Sequence, residues 1–225
     1  MTARTAIEDI LPLSPLQEGL LFHTLRDLAD GADGIDVYTG QLVVELDGPV
    51  DPERWRVAGQ ALLDRHPNLR VAFRQRKNGD AVALVGRQVT LPWTVVDAPN
   101  RAELDRLLDA DLRTRFDPAT APLLRMSLYR LGASSRLVLT HHHLLLDGWS
   151  MPVLLRELFA LVESAGDAAV LPPVVDHRRY LAWLDRQDHA AAVTAWSSAL
   201  AGFRARRGAR AHGRRRRKDR REGAA

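Results

Sequence analysis

Leucines at 16, 20, 21, 25 and 28 recur at helical spacing, and Ser14-Pro15 with Gln17 stands ahead of them. That start reads as a capping box with proline at the first helical position, and it predicts a helix over 15–28 with the leucines on one face. Residues 37–46 alternate instead, with Tyr38, Leu42, Val44 and Leu46 on one side and Thr39, Gln41 and Glu45 on the other. Period two predicts a half-buried strand. Asp51-Pro52 then caps a helix to about His66, with Trp55, Ala58, Leu62 and Leu63 inward. Two apolar runs, 69–75 and 80–85, flank Asn78-Gly79 and predict a hairpin.

Asn100 with Glu103 opens a helix striped by Leu104, Leu107, Leu108 and Leu112. Strands follow at about 123–131 and 136–141, joined by Gly132-Ala133-Ser134-Ser135. A loop leads to a helix over 151–164, residues 165–175 form a Gly/Ala/Pro linker, and 176–201 read as helical. Strands and helices mixed in this order predict an α+β fold, a two-layer sandwich.

The chain has 225 residues and no cysteine, which excludes disulfides, thiolate metal sites and a Cys nucleophile and fits a reducing, cytoplasmic setting. No apolar run is long enough to span a bilayer, and the N-terminus lacks a signal-peptide segment. The formal net charge of +4 would suggest an anionic partner. The charge is unevenly placed, however. Residues 203–225 hold a net of +9 and residues 1–202 a net of −5. The Arg-rich tail has one large apolar residue, Phe203, and is expected to be disordered. Three origins stay open: a nucleic-acid arm, a solvated tail, and a GC-rich gene read in a shifted frame. The lack of interleaved aromatics weighs against the first. The body holds a single lysine, Lys77, against 20 arginines, a GC bias that fits the third.

The chemistry concentrates in Thr140-His141-His142-His143-Leu144-Leu145-Leu146-Asp147-Gly148-Trp149-Ser150, where a strand ends and a helix begins. Leu137, Leu139, His141 and His143 share a face if pairing continues. A neutral imidazole suits proton transfer from an amine or hydroxyl nucleophile, Asp147 can fix an orientation or pair with a cation, and Gly148 permits close backbone approach or a positive φ. Satisfied polar residues in a turn are the alternative. A zinc site built on His141, His143 and Asp147 lacks a further clustered ligand, since His23, His66, His177 and His189 are scattered. There is no G-x-S-x-G elbow and no phosphate-binding loop.

His142-His143-Leu144-Leu145-Leu146-Asp147-Gly148 resembles the HHxxxDG signature of the condensation domains of nonribosomal peptide synthetases. Three more blocks agree in order: Leu13-Ser14-Pro15-Leu16-Gln17-Glu18-Gly19-Leu20-Leu21-Phe22-His23, Arg65-His66-Pro67-Asn68-Leu69-Arg70-Val71-Ala72-Phe73 (an RHxxLRxxF type), and an imperfect aromatic block at Tyr180-Leu181-Ala182-Trp183. The wording is similar to the subtype that joins a D-configured donor to an L-acceptor.

The resemblance implies one chloramphenicol-acetyltransferase-like lobe, with residues 1–175 as the lobe, 176–202 as the helical start of a crossover to a second lobe, and 203–225 as the tail. The second lobe's blocks are absent, so the chain is expected to be truncated and inactive or incomplete alone. The activity implied is peptide-bond formation between thioesters held on the phosphopantetheine arms of carrier proteins, in secondary-metabolite biosynthesis. No tightly bound cofactor and no metal are implied. His143 would orient or deprotonate the acceptor amine or stabilise the tetrahedral intermediate, beside His142. Gly148 would offer a backbone N–H to the oxyanion. Asp147 would be structural, in a salt bridge with Arg70 or alternatively Arg65. Carrier proteins and other synthetase modules are the expected partners, with self-association through an uncovered lobe face. A non-catalytic carrier-binding half-domain or remnant, an epimerase, and another HxxxD acyltransferase are the alternatives. The opening block argues against the epimerase.

Overall fold

In the computed structural model, the described residues are 6–31, 35–76 and 79–203. The Arg-rich tail beyond Phe203 and the hairpin residue Asn78 lie outside them. The first compact unit runs to Asp185 and contains two sheets. One has three antiparallel strands in the order β1 (Ile7–Pro12), β4 (Ala81–Gly86), β3 (Val71–Gln75). The other has four, in the order β2 (Thr39–Asp47), β7 (Ser134–His142), β6 (Leu124–Leu131), β5 (Trp93–Asp97). Its pairs are antiparallel except β5 with β6, which is parallel.

The central strands β6 and β7 are covered on both sides. Leu124, Met126, Leu128, Leu137 and Leu139 enter the larger core, whereas Tyr129 and Val138 pack with Leu104 of α3 (Arg101–Arg113) on the other face. Burial on both faces explains why these segments read as apolar runs rather than as alternation. The larger core is closed by α2 (Pro52–Arg65), through Trp55, Ala58, Leu62 and Leu63, and by α4 (Ser150–Glu163), through Leu154, Leu158 and Leu161. A 3-10 turn at Pro67–Arg70 carries the chain from α2 into β3. The hairpin forms as its turn predicts: Gly79 adopts φ +94° and the Arg76 N–H meets the Asp80 carbonyl at 2.7 Å.

Several expectations need correction. Helix α1 (Pro15–Ala29) has the predicted capping box, but only Leu20 and Leu21 of its leucine stripe pack on the core. Leu16 is 70% exposed and Leu25 and Leu28 are also exposed, while Leu21 and Thr24 are the buried pair. Strands β1 and β5 do not stand out as strands in the sequence. Each is an edge strand of five or six residues with most side chains partly or fully exposed, so it carries little apolar signal. The 176–201 segment is two helices, α5 (His177–Asp185) and α6 (His189–Ala199). Asp188 caps the second by accepting from the Ala191 N–H at 2.9 Å. Helix α5 belongs to the first unit, tied to β1 by Arg178 Nε donating to Asp9 at 2.7 Å. Helix α6 belongs to the second unit and exposes Val193, Trp196 and Leu200.

Candidate active site

Strand β7 delivers the histidines. Gly40 of β2 and Leu124 of β6 flank His141 in register, and pairing persists one bond past the strand, from the His143 N–H to the Tyr38 carbonyl at 2.8 Å. Alternation is therefore kept. His141 and His143 lie edge to face with ring centroids 5.5 Å apart, as predicted for one side of the strand. His142 turns the other way and is fully buried.

Beyond His143 the chain turns, and nearly every polar group of that turn is held. His142 Nδ1 accepts the Leu144 N–H at 3.0 Å. Gln17 Nε2 donates to the Leu144 carbonyl and Asn68 Nδ2 to the Leu145 carbonyl, each at 3.0 Å. His143 Nδ1 lies 3.1 Å from the Leu146 carbonyl. The side chains of Leu144, Leu145 and Leu146 are buried in the larger core. Three leucines inward and four side-chain bonds leave the turn few alternatives.

A carbonyl can only accept, so His143 Nδ1 carries a proton, and in the neutral ring Nε2 keeps its lone pair. The ring is exposed and lines a cleft of about 800 Å³. Asp147, Trp149 and Ser150 line the same cleft, with Arg65, His66 and Asn68 from the second sequence block and His177 and Tyr180 from α5.

The predicted ion pair of Asp147 with Arg70 is not formed, nor is the alternative with Arg65. Asp147 Oδ1 accepts the Ser150 N–H at 2.9 Å and its hydroxyl at 2.7 Å, which starts α4. The Ser150 hydroxyl bond, then backbone N–H groups, hold the Asp147 carboxyl below its ordinary value despite some burial. Arg70 is occupied elsewhere: its Nη1 meets Glu8 at 2.8 Å and the carbonyls of Gly86 and Arg87. Arg65 Nε donates to Glu157 at 3.0 Å, and its Nη2 to the Pro172 carbonyl. Gly148 is exposed, has no positive φ, and a Cβ there would meet nothing within 4 Å. Of the two uses that glycine permits there, the positive φ is not adopted.

His141 is 5% exposed and its Nδ1 has no partner among the described residues. Burial, and then the neighbouring His143 and His142, push its pKa down to about 4. Glu157 lies between Arg65 Nε and His66 Nε2, the latter at 2.7 Å. Burial alone would raise its carboxyl, but these two partners hold it below the ordinary value. Among the described residues no three of His, Cys, Asp and Glu gather as metal ligands do, and no helix is long and apolar enough to cross a membrane.

Sequence reasoning missed the residues that shape the turn. Gln17 and Asn68 lie inside recognised blocks, so a signal for them existed. Thr24 and Asp36, which face His142, carry none: their nearness depends on where α1 and the segment entering β2 meet β7.

The sequence model of the condensation domain matches residues 7–207. The chain belongs to the condensation-domain family of nonribosomal peptide synthetases. It is 37% identical over 207 residues to one of the linear gramicidin synthase proteins of Brevibacillus parabrevis, covering 88% of this chain and 3% of that protein. It is 32% identical over 209 residues to bacitracin synthase 1 of Bacillus licheniformis, covering 89% of this chain and 4% of that protein. The first condensation domain of the CDA synthetase superposes with a TM-score of 0.71 at 18% identity, over 87% of this chain and 51% of that one. The nonribosomal peptide synthetase FmoA3 superposes with a TM-score of 0.63 at 25% identity, over 88% of this chain and 20% of that one. The fold is thus the α+β, chloramphenicol-acetyltransferase-like lobe, and the chain spans about half of a solved condensation domain.

Proposed function

We propose that this condensation-domain lobe takes part in amide formation between two carrier-bound thioesters, with His143 as the group that handles the acceptor's proton. The observation that carries this reading is the His143 ring in the cleft, with Nδ1 committed to the Leu146 carbonyl and Nε2 left as the acceptor. In the proposed step the acceptor nitrogen bonds to the donor's thioester carbon and the C–S bond breaks. The nitrogen's proton passes to His143 Nε2 and then to the departing sulfur. The Gly148 N–H lies in an open segment that substrate can approach, and it is the candidate oxyanion donor. Asp147 acts by setting the start of α4, and His142 acts by holding the turn. Holding both thioesters on phosphopantetheine arms supplies the proximity. Carrier proteins and neighbouring synthetase modules are the partners, and a D-configured donor with an L-acceptor is the pairing that the sequence wording favours.

A second reading is a carrier-binding lobe with no turnover of its own. Single-turnover peptide formation with loaded carriers separates the two. Product from the wild type, reduced roughly 10²–10⁴-fold in His143→Ala, supports the acyl-transfer reading. Equal product from both removes His143 from the mechanism. Carrier binding without product supports the second reading.

A further inference from the structure

The His142 ring has a defined partner at each nitrogen. Its Nδ1 accepts the Leu144 N–H at 3.0 Å, so that nitrogen carries no proton. Its Nε2 lies 3.3 Å from Asp36 Oδ2 and 3.4 Å from Thr24 Oγ1. The Thr24 hydroxyl proton is directed at the Leu20 carbonyl at 3.0 Å, so its oxygen is also an acceptor toward the ring. Asp36 is 5% exposed and is itself fixed. Its Oδ1 accepts the Tyr38 N–H and its carbonyl the Thr39 N–H, each at 2.9 Å.

We propose that Asp36 is a positioning residue: its carboxylate holds His142 as the Nε2–H tautomer, and that tautomer, through the Leu144 N–H, holds the turn that presents His143. The opposite tautomer would set an Nδ1–H against the Leu144 N–H and leave two donors unpaired in a fully buried place, while two acceptors on the other side lost theirs. Asp36 acts through His142 and does not line the cleft. Its relevance to acyl transfer rests on the reading of His143 given above, but the link from Asp36 to the turn does not.

The test uses the full chain, with nitrogen-15 spectra of the histidine rings and amide hydrogen exchange. In the wild type at neutral pH, His142 is expected to carry its proton on Nε2. A ring protonated on Nδ1, alone or on both nitrogens, overturns the proposal whether or not any variant folds. Asp36→Asn is nearly isosteric. With its oxygen kept on the Tyr38 N–H, it turns an NH2 toward Nε2. It is expected to shift His142 toward the Nδ1–H form and to raise the Leu144 amide exchange rate at least tenfold. Thr24→Val keeps Asp36 and is expected to keep the tautomer. An unchanged tautomer and unchanged Leu144 exchange in Asp36→Asn overturn the proposal. If His143→Ala leaves product formation intact while Asp36→Asn shifts the tautomer, the catalytic reading fails and the Asp36 link stands.

Discussion

The His141 ring fills the space beside Gly40 that the side chain of any other residue would enter. A Cβ at Gly40 would stand 2.8 Å from His141 Cε1 and 3.1 Å from Nε2. The ring is enclosed on one side by β2 and meets His143 on another, so it cannot swing away freely. Gly40→Ala is therefore expected to cost about 1–3 kcal/mol in urea unfolding and to shift the His143 ring resonances. Gly148→Ala, where a Cβ meets nothing within 4 Å, is expected to stay within about 0.5 kcal/mol of wild type in the same measurement.

His141 also predicts an acid limb. Its folded pKa is about 4 against an ordinary 6.5, so between these values the unfolded chain binds the extra proton. Its contribution is present above pH 6.5 and falls away as pH drops toward 4, by about 3 kcal/mol in all. Carboxylates held low in the fold, such as Asp36 and Glu157, lose their contributions only below their ordinary values, at more acidic pH. His141→Phe is expected to reduce the slope of the stability profile between pH 6.5 and 4, to keep the part owed to His177, which burial also holds below its ordinary value, and to leave the more acidic limb in place. Unfolding midpoints across this range check it.

Glu157 joins α4 to the second sequence block. Its side chain is 10% exposed and it answers Arg65, whose side chain is 9% exposed, and His66. Removing the carboxylate strands a buried guanidinium, and Glu157→Ala is expected to cost roughly 3–5 kcal/mol in chemical denaturation. Glu157→Gln keeps one acceptor and is expected to cost less.

Gln17 has two jobs that substitution can separate. Its Oε1 accepts the Ser14 N–H at 3.0 Å to complete the capping box, and its Nε2 donates to the Leu144 carbonyl. Gln17→Glu keeps the first and turns a carboxylate toward a carbonyl in the second. It is expected to lower single-turnover product formation by roughly tenfold. Ser14→Ala removes only the cap and is expected to cost about 1 kcal/mol of stability with product formation near wild type.

Leu16, Phe22, Val37 and Trp149 are large apolar side chains between 61% and 88% exposed. Covering such side chains with a second copy would remove apolar surface from water. Sedimentation velocity is expected to show self-association that grows with concentration, and a single monomer boundary across the series would refute it.

The local elements were legible where the signal is local. The capping box at Ser14, Asp51-Pro52 before α2, and the Asn78-Gly79 turn act within a few residues, and the expected helices and hairpin are present. The motif's strand-to-turn position was legible too, because alternation along β7 places His141 and His143 together whatever lies around them. The split of helix at Arg186 and the edge strands β1 and β5 were not, since short exposed segments carry little apolar periodicity.

What the amino-acid order determined by itself was the α+β class, the family, and the candidacy of His143. The partners of the charged groups were decided only in three dimensions. Arg70 meets Glu8 and the carbonyls at the end of β4 rather than Asp147, because the 3-10 turn after α2 sets its guanidinium beside Glu8 of β1 and Gly86 of β4. Asp36 reaches His142 across more than a hundred residues because α1 and the entry to β2 are packed against the end of β7. A charge takes whichever partner the packed core brings within about 3 Å, and no pattern along the chain encodes that distance.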